Sequence, residues 1–129
     1  MEEIRYNKEH IWARLDDEDL ITIGVSEFAE QELGEILSVS LPEEGTELVK
    51  DEIFGSLKSS TSAMDLCAPV SGEIMDVNTE LEESPEIINE DPYDKGWIAV
   101  IEIENDSEID DLMDAADYGK YVEEESKWN

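Results

Sequence analysis

The side chains that most often perform nucleophilic or acid–base chemistry are rare in this sequence: His10 is the only histidine and Cys67 is the only cysteine. A nucleophile needs a neighbouring general base, and nothing in the sequence marks such a pair. Leu66 and Ala68 flank Cys67, and no nearby cation would lower its pKa, so we expect a buried structural thiol. We also expect a structural role for His10, which is close to Trp12 in a predicted strand.

Acidic side chains offer the only candidate metal ligands. The runs Asp16 to Asp19 and Glu108 to Asp111 supply carboxylate oxygens, the ligands that hard cations prefer. Neither run has the spaced Asp/Asn and glycine pattern of a calcium-binding loop, and no glycine-rich phosphate loop leads into a helix. We therefore predict no metal site and no enzyme activity.

A serine- and threonine-rich turn interrupts two strand-like segments between Phe54 and Ile74. The turn reads Ser59-Ser60-Thr61-Ser62 and is preceded by Lys58, and the next cation along the chain is Lys95. Its composition is that of an ordinary polar hairpin loop.

Length and charge restrict the classes of protein that remain. With 129 residues the chain is long enough for one core, so we predict a single domain over residues 1–129. The 37 acidic residues against eight Lys and Arg give a formal net charge of −29, which argues against binding nucleic acid or an anionic membrane. No apolar run is long enough to span a bilayer, and Met1 to Arg5 lacks the apolar core of a secretion signal. We expect a cytoplasmic location.

Short strand signals dominate the elements that must position these residues. A hairpin is predicted from 10–15 and 20–24, and a short helix from Ser26 as cap to Gly34 as stop. Ser84 before Pro85 predicts a second helix start. The remaining predicted elements are strands at 36–41, 53–57, 64–68, 73–77 and 97–103, and one C-terminal helix whose apolar stripe is Ile109, Leu112, Met113 and Ala116. The fold class is mostly β.

Five segments resemble the H-protein family of the glycine cleavage system, and together they span nearly the whole chain. They are YNKEHIWARL (6–15), ITIGVSEFAEQELGEILSVSLPEEG (21–45), DLCAPVSGEI (65–74), SPEIINEDPYDKGW (84–97) and DAADYGKYV (114–122). The resemblance implies a lipoyl-domain-like barrel-sandwich hybrid of two small sheets with short helices and a C-terminal helix. In the family a lysine at a hairpin tip carries lipoate, which ferries an aminomethyl group between the decarboxylase and the aminomethyltransferase and is reoxidised by dihydrolipoyl dehydrogenase.

Four positions depart from that family, and one of them is the family's hairpin tyrosine, which becomes Cys67. Aligned without a gap between Phe54-Gly55 and Asp65 to Pro69, the family's lipoyl-lysine position falls on Thr61. The family's glutamate three residues earlier becomes Lys58. The glutamate that follows His10 in the family becomes Ile11, which is either the loss of a partner contact made there or a harmless surface change.

Two functions remain open. The first is an H-protein-like module with no lipoate, acting as a binding or accessory protein for glycine cleavage enzymes or a related lipoate-dependent system. The second is a true carrier with lipoate on Lys58, the nearest amine. Lys58 is three residues from Thr61, about 10 Å along an extended strand, and an odd offset turns its side chain to the other face. If the first function is right, we expect no cofactor; if the second is right, we expect lipoate on Lys58.

Overall fold

The computed structural model describes residues 4–15, 19–60, 62–91, 93–104 and 107–126. The strands of these residues are β1 (Ile4–Tyr6), β2 (Ile11–Leu15), β3 (Leu20–Val25), β4 (Ile36–Ser40), β5 (Glu47–Leu48), β6 (Ile53–Ser59), β7 (Ala63–Cys67), β8 (Gly72–Val77) and β9 (Ala99–Ile103). The helices are α1 (Glu27–Leu33), α2 (Glu80–Glu83), α3 (Ile87–Glu90), α4 (Ser107–Asp110) and α5 (Ala115–Ser126).

The strands form two antiparallel sheets. One has six strands in the order β1-β2-β3-β9-β8-β5, and the other has three strands in the order β4-β6-β7. The short helices lie in the connections, and α5 ends the described chain. The predicted fold class, mostly β with two small sheets, short helices and a C-terminal helix, is confirmed.

The two sheets share one apolar core. In the three-stranded sheet the paired residues Val39, Leu57 and Met64 form a row that faces this core, and Leu57 is fully buried. The six-stranded sheet contributes inward side chains such as Ile23 and Ile101, which are also fully buried. Because side chains alternate across a strand, every second residue of β6 and β7 is left on the outer face.

The first helix forms as its sequence predicts. The Ser26 Oγ accepts a hydrogen bond from the Ala29 N–H at 3.2 Å, which satisfies one of the free donors at the start of α1. Gly34 ends the helix with a φ of +82°, a conformation that costs glycine little.

Two predicted helix features are wrong. Ser84 is the C-cap of α2 rather than a helix start, and α3 begins after Glu86. The C-terminal stripe does not form one helix, because the chain leaves α4 to make a β-bridge between Met113 and Tyr6 before α5 begins. Pairing Met113 with β1 satisfies backbone donors and acceptors at the edge of the six-stranded sheet, which continuous helix would leave unpaired.

Within the described ranges, no helix is long and apolar enough to cross a membrane.

Candidate functional site

The hairpin of β6 and β7 forms the candidate site, and it is closed by two serines. The Ser59 N–H donates to the Ser62 carbonyl oxygen at 2.8 Å, and the Ser59 Oγ donates to the same oxygen at 3.2 Å. The Ser62 N–H in turn donates to the Ser59 Oγ at 3.1 Å. These bonds join the two strands of the hairpin at Ser59 and Ser62. Thr61, the family's lipoyl-lysine position, lies outside the described residues.

Lys58 lies on the strand rather than in the loop. It is paired with Ala63 on β7 and with Ser38 on β4, so both edges of its strand are hydrogen-bonded within the sheet. Its side chain is exposed on the outer face, because the adjacent Leu57 faces the core. Lys58 therefore belongs to the strand pair Lys58–Ala63, which is next to the Ser59–Ser62 pair on the side away from the loop. Lys95, the next cation along the chain after Lys58, is exposed in the connection between α3 and β9.

Two asparagines attach the three-stranded sheet to the rest of the molecule. The Asn7 Oδ1 accepts from the Glu9 and Ile11 N–H groups, both at 2.9 Å, and the Asn7 Nδ2 donates to the Cys67 carbonyl oxygen at 3.2 Å. At the opposite edge, the Asn89 Oδ1 accepts from the Ile36 N–H at 2.8 Å. No period or motif in the sequence singles out these two asparagines, although both fall in segments that resemble the family.

Ile11 is not a surface residue. It is 0% exposed and belongs to the main core, so the reading of this position as a surface change is wrong. Because β2 begins here and Ala13 lies on the same face, the side chain points between the two sheets. A charged side chain at this depth would need a paired partner.

Cys67 lies at the end of β7 and is half-buried, so the burial predicted for this thiol is only partial. Burial raises the pKa of its thiol, and the negative charges of Glu9, Asp65 and Asp51 raise it further. A raised pKa leaves less thiolate at neutral pH, and the thiolate is the nucleophilic form. The site therefore favours an unreactive thiol.

His10 lies just before β2, with a φ of +69°, instead of within the strand. Its Nδ1 is 2.7 Å from the Tyr118 hydroxyl, which is also 2.6 Å from the Ser26 Oγ. The His10 ring also packs against Phe28 and Tyr121. These contacts attach α5 to the start of α1, which agrees with the structural role predicted for His10.

The rings around Tyr118 form an aromatic cluster on the outer face of the six-stranded sheet. Tyr118 stacks on Tyr6 with centroids 4.1 Å apart, and Trp12 is fully buried beside them. Gly24 makes room for Trp12, because a Cβ at that glycine would lie 2.6 Å from the indole ring. Burial, with the neighbouring Tyr93 hydroxyl, raises the pKa of Tyr6 above its ordinary value. The sequence did not indicate that Tyr118 would anchor α5.

The second acidic run makes intramolecular contacts. The Glu108 carboxylate accepts from the Ser71 N–H at 2.8 Å and from the Ser71 Oγ at 3.1 Å, and Asp111 pairs with Lys50 at 3.1 Å. Most of the first run, residues 16–18, lies outside the described residues. Among the described residues, no group of three or more His, Cys, Asp or Glu side chains could hold a metal ion.

Comparisons with known proteins agree with this geometry. A family model described as "Glycine cleavage H-protein" matches residues 4–125. The "Glycine cleavage system H protein" of Geobacillus thermodenitrificans is 47% identical over 122 residues, which cover 95% of this chain and 95% of that protein. The protein of the same name from Coprothermobacter proteolyticus is 44% identical, covering 96% of this chain and 98% of its own length.

A solved structure extends the agreement to the fold. The crystal structure of a glycine cleavage system H protein from Mycobacterium marinum has a TM-score of 0.80 and 27% identity, covering 96% of this chain and 97% of its own. The chain therefore belongs to the glycine cleavage H-protein family, a family of non-catalytic lipoate carriers, and this membership agrees with the prediction that it is not an enzyme.

Proposed function

We propose that this chain is an H-protein-like module that binds glycine cleavage enzymes without carrying lipoate. The observation that carries the proposal is the position of the only nearby amine. Lipoate attaches through an amide, which needs a primary amine, and residues 59–62 of the loop supply only hydroxyl side chains. Lys58 stands behind the loop on the central strand of a three-stranded sheet.

Bringing Lys58 into the loop would require β6 to slide against both neighbours. A one-residue slip would turn Leu57 out of the core, because the side-chain period of a strand is two residues. Leu57 and its inward neighbour across the hairpin, Leu66, are both fully buried, so such a slip would cost several buried contacts. Burial of these two leucines favours the present register, in which Lys58 stays on the strand and the loop has no amine.

A true lipoyl carrier modified at Lys58 is the second candidate. Two observations favour it. The similar proteins carry the name of glycine cleavage H protein, and the Lys58 side chain is exposed between the small side chains of Ser38 and Ala63. A modifying enzyme that reached the sheet face instead of the loop would find this amine accessible.

Intact-mass spectrometry of the protein purified from its native source separates the two functions. The proposal expects the unmodified mass, and one lipoyl increment would overturn it. If the increment is found, Lys58→Ala locates it: its loss assigns the arm to Lys58. Lys95→Ala is the matched control, because it removes another exposed amine without touching the hairpin.

A gain-of-function variant tests whether the hairpin still has the shape that lipoyl attachment requires. We expect the double variant Thr61→Lys, Lys58→Glu to be modified by a competent lipoyl ligase, while Thr61→Val, Lys58→Glu is not. A folded double variant that stays unmodified would show that the hairpin itself has diverged from the family.

A further inference from the structure

Three glutamates form a row across the outer face of the six-stranded sheet. Glu47 on β5 pairs with Glu73 on β8, and Glu73 pairs in turn with Glu102 on β9. All three side chains are exposed, because the residues next to them on their strands, such as Leu48 and Ile101, face the core. Directly opposite residues of an antiparallel pair have Cβ atoms about 5 Å apart. We call these three residues the glutamate row.

The strands that carry the glutamate row contain no cation. β5, β8 and β9 have no Lys or Arg, and Asp76 adds a further negative charge to β8. In the part of the chain that the structure describes, no ion pair reaches any of the three carboxylates of the row. The arginines of this sheet, Arg5 and Arg14, are on β1 and β2 at its opposite edge. Like charges placed directly opposite each other destabilise the pairing of strands.

Protection of the sheet edge accounts for only one of these charges. A charged side chain on an edge strand prevents pairing with another chain, which gives Glu47 a use. Glu73 and Glu102 lie on strands that are paired on both sides, so neither of them guards an edge. The row therefore adds repulsion to the sheet that protection of its edge does not require.

β5 is the strand that this repulsion can detach. It has two residues and pairs with β8 alone. The Gly45 N–H donates to the Ile74 carbonyl oxygen and the Ile74 N–H donates to the Thr46 carbonyl oxygen, both at 2.8 Å, and Leu48 is the one buried side chain of β5. An element with few hydrogen bonds and little buried apolar surface opens at a low free energy.

We propose that β5 is sensitive to ionic strength: it leaves β8 more often when the glutamate row is unscreened, and salt holds it in place by screening the row. The Debye length falls from about 30 Å at 0.01 M salt to about 3 Å at 1 M, which is shorter than the spacing within the row. Salt weakens the repulsion and leaves the backbone hydrogen bonds and the packing of Leu48 intact. The inference goes beyond the proposed function, since it does not depend on whether lipoate is attached.

Amide hydrogen exchange of the purified full-length chain, followed by NMR, tests the proposal. The Gly45 amide reports on β5, and the Ile98 amide, which donates to the Ile23 carbonyl oxygen at 2.7 Å, reports on the centre of the same sheet. Each rate is divided by that of an unstructured peptide of the same sequence at the same salt concentration. We expect Gly45 to exchange on the order of fivefold faster at about 0.01 M than at about 1 M NaCl. Ile98 should change less than about twofold. Equal acceleration of the two amides would overturn the proposal, because the whole fold would then loosen together.

Variants of the middle glutamate test whether the row is the cause. Glu73→Gln removes the charge that opposes both neighbours, and Glu73→Lys places a cation between Glu47 and Glu102. We expect the salt effect on Gly45 exchange to fall below about twofold in the first variant and to reverse in the second. A salt effect that persists unchanged in the folded Glu73 variants would overturn the proposal.

Glu90→Gln and Glu90→Lys are the matched controls. They change the net charge by the same amounts at an exposed position on α3, outside the sheet, and should leave the salt effect at Gly45 unchanged. Circular dichroism establishes that each variant is folded before the comparison is made. If the Glu90 variants reduced the salt effect as much as the Glu73 variants, the repulsion would come from the total charge, and the glutamate row would not control β5.

Discussion

The two sheets differ in what covers their outer faces. On the six-stranded sheet the aromatic cluster covers the outer face at β2, so that Ile11, Trp12 and Ala13 are all buried in succession. On the three-stranded sheet the core covers the inner face only, and β6 has a single buried residue, Leu57. The six-stranded sheet therefore buries residues on both faces at β2, whereas the three-stranded sheet buries residues on its inner face.

The largest predicted effect lies on the inner face of the three-stranded sheet. Leu57→Ala should lower the free energy of unfolding by about 2–5 kcal/mol, because it removes a fully buried side chain and leaves a cavity. Urea unfolding followed by circular dichroism measures the change. Leu37→Ala on the neighbouring strand is the control, and it should cost less than about 0.5 kcal/mol because Leu37 is half exposed. Similar losses of unfolding free energy for the two variants would mean that Leu57 does not anchor the three-stranded sheet to the core.

The aromatic cluster should depend on hydrogen bonds as well as packing. Tyr118→Phe keeps the stacked ring but removes the hydroxyl that lies within hydrogen-bond distance of His10 and Ser26. We expect a loss of about 1–3 kcal/mol, since buried polar groups lose their partner. Tyr121→Phe removes a hydroxyl that donates to the exposed Lys8 carbonyl oxygen, and it should cost less. Equal losses in the same urea experiment would contradict an anchoring role for Tyr118.

A smaller effect is expected at the exposed contact between Lys50 and Asp111. Lys50→Met should lower the free energy of unfolding by less than about 1 kcal/mol, because the Asp111 side chain is 67% exposed and water screens the pair. The difference should shrink further in about 1 M NaCl, where the Debye length is about 3 Å. A large loss that salt does not reduce would show that this contact holds α4 as firmly as Tyr118 holds α5.

The smallest effect concerns Cys67, at the edge of the three-stranded sheet. Because its pKa is raised in the folded protein, its thiol should react with iodoacetamide more slowly than the same thiol in urea-unfolded chain near pH 8.5, the ordinary pKa of cysteine. The neutral thiol contributes its stability below the unfolded pKa, and that contribution is lost as the pH rises through the folded pKa. If the reaction rate had the same pH profile in the folded and the unfolded chain, the raised pKa of Cys67 would be contradicted. The Cys67→Ser variant, which has no thiol, is the control.

Local sequence was enough to predict several elements. The alternation and acidic loop between residues 10 and 24 predicted the β2–β3 hairpin, and Ser26 with Gly34 predicted α1, because caps and turns depend on residues close together in the chain. The C-terminal helix was predicted as one piece because apolar spacing does not reveal that Met113 pairs with β1. The burial of Ile11 was missed for the same reason, since both faces of β2 are covered by distant segments.

For the candidate site, the sequence by itself determined which side chains are available: hydroxyls at positions 59–62, threonine at 61 and one nearby amine at Lys58. Only the tertiary structure decided where Lys58 stands, because the register of β6 against β4 and β7 is set by the shared core beneath Leu57 and Leu66. It also gathered three strands from separate segments into one face of low charge. Local composition could not reveal that face, since each of its two rows of paired residues joins positions 25 apart, Ser38 with Ala63 and Ser40 with Asp65.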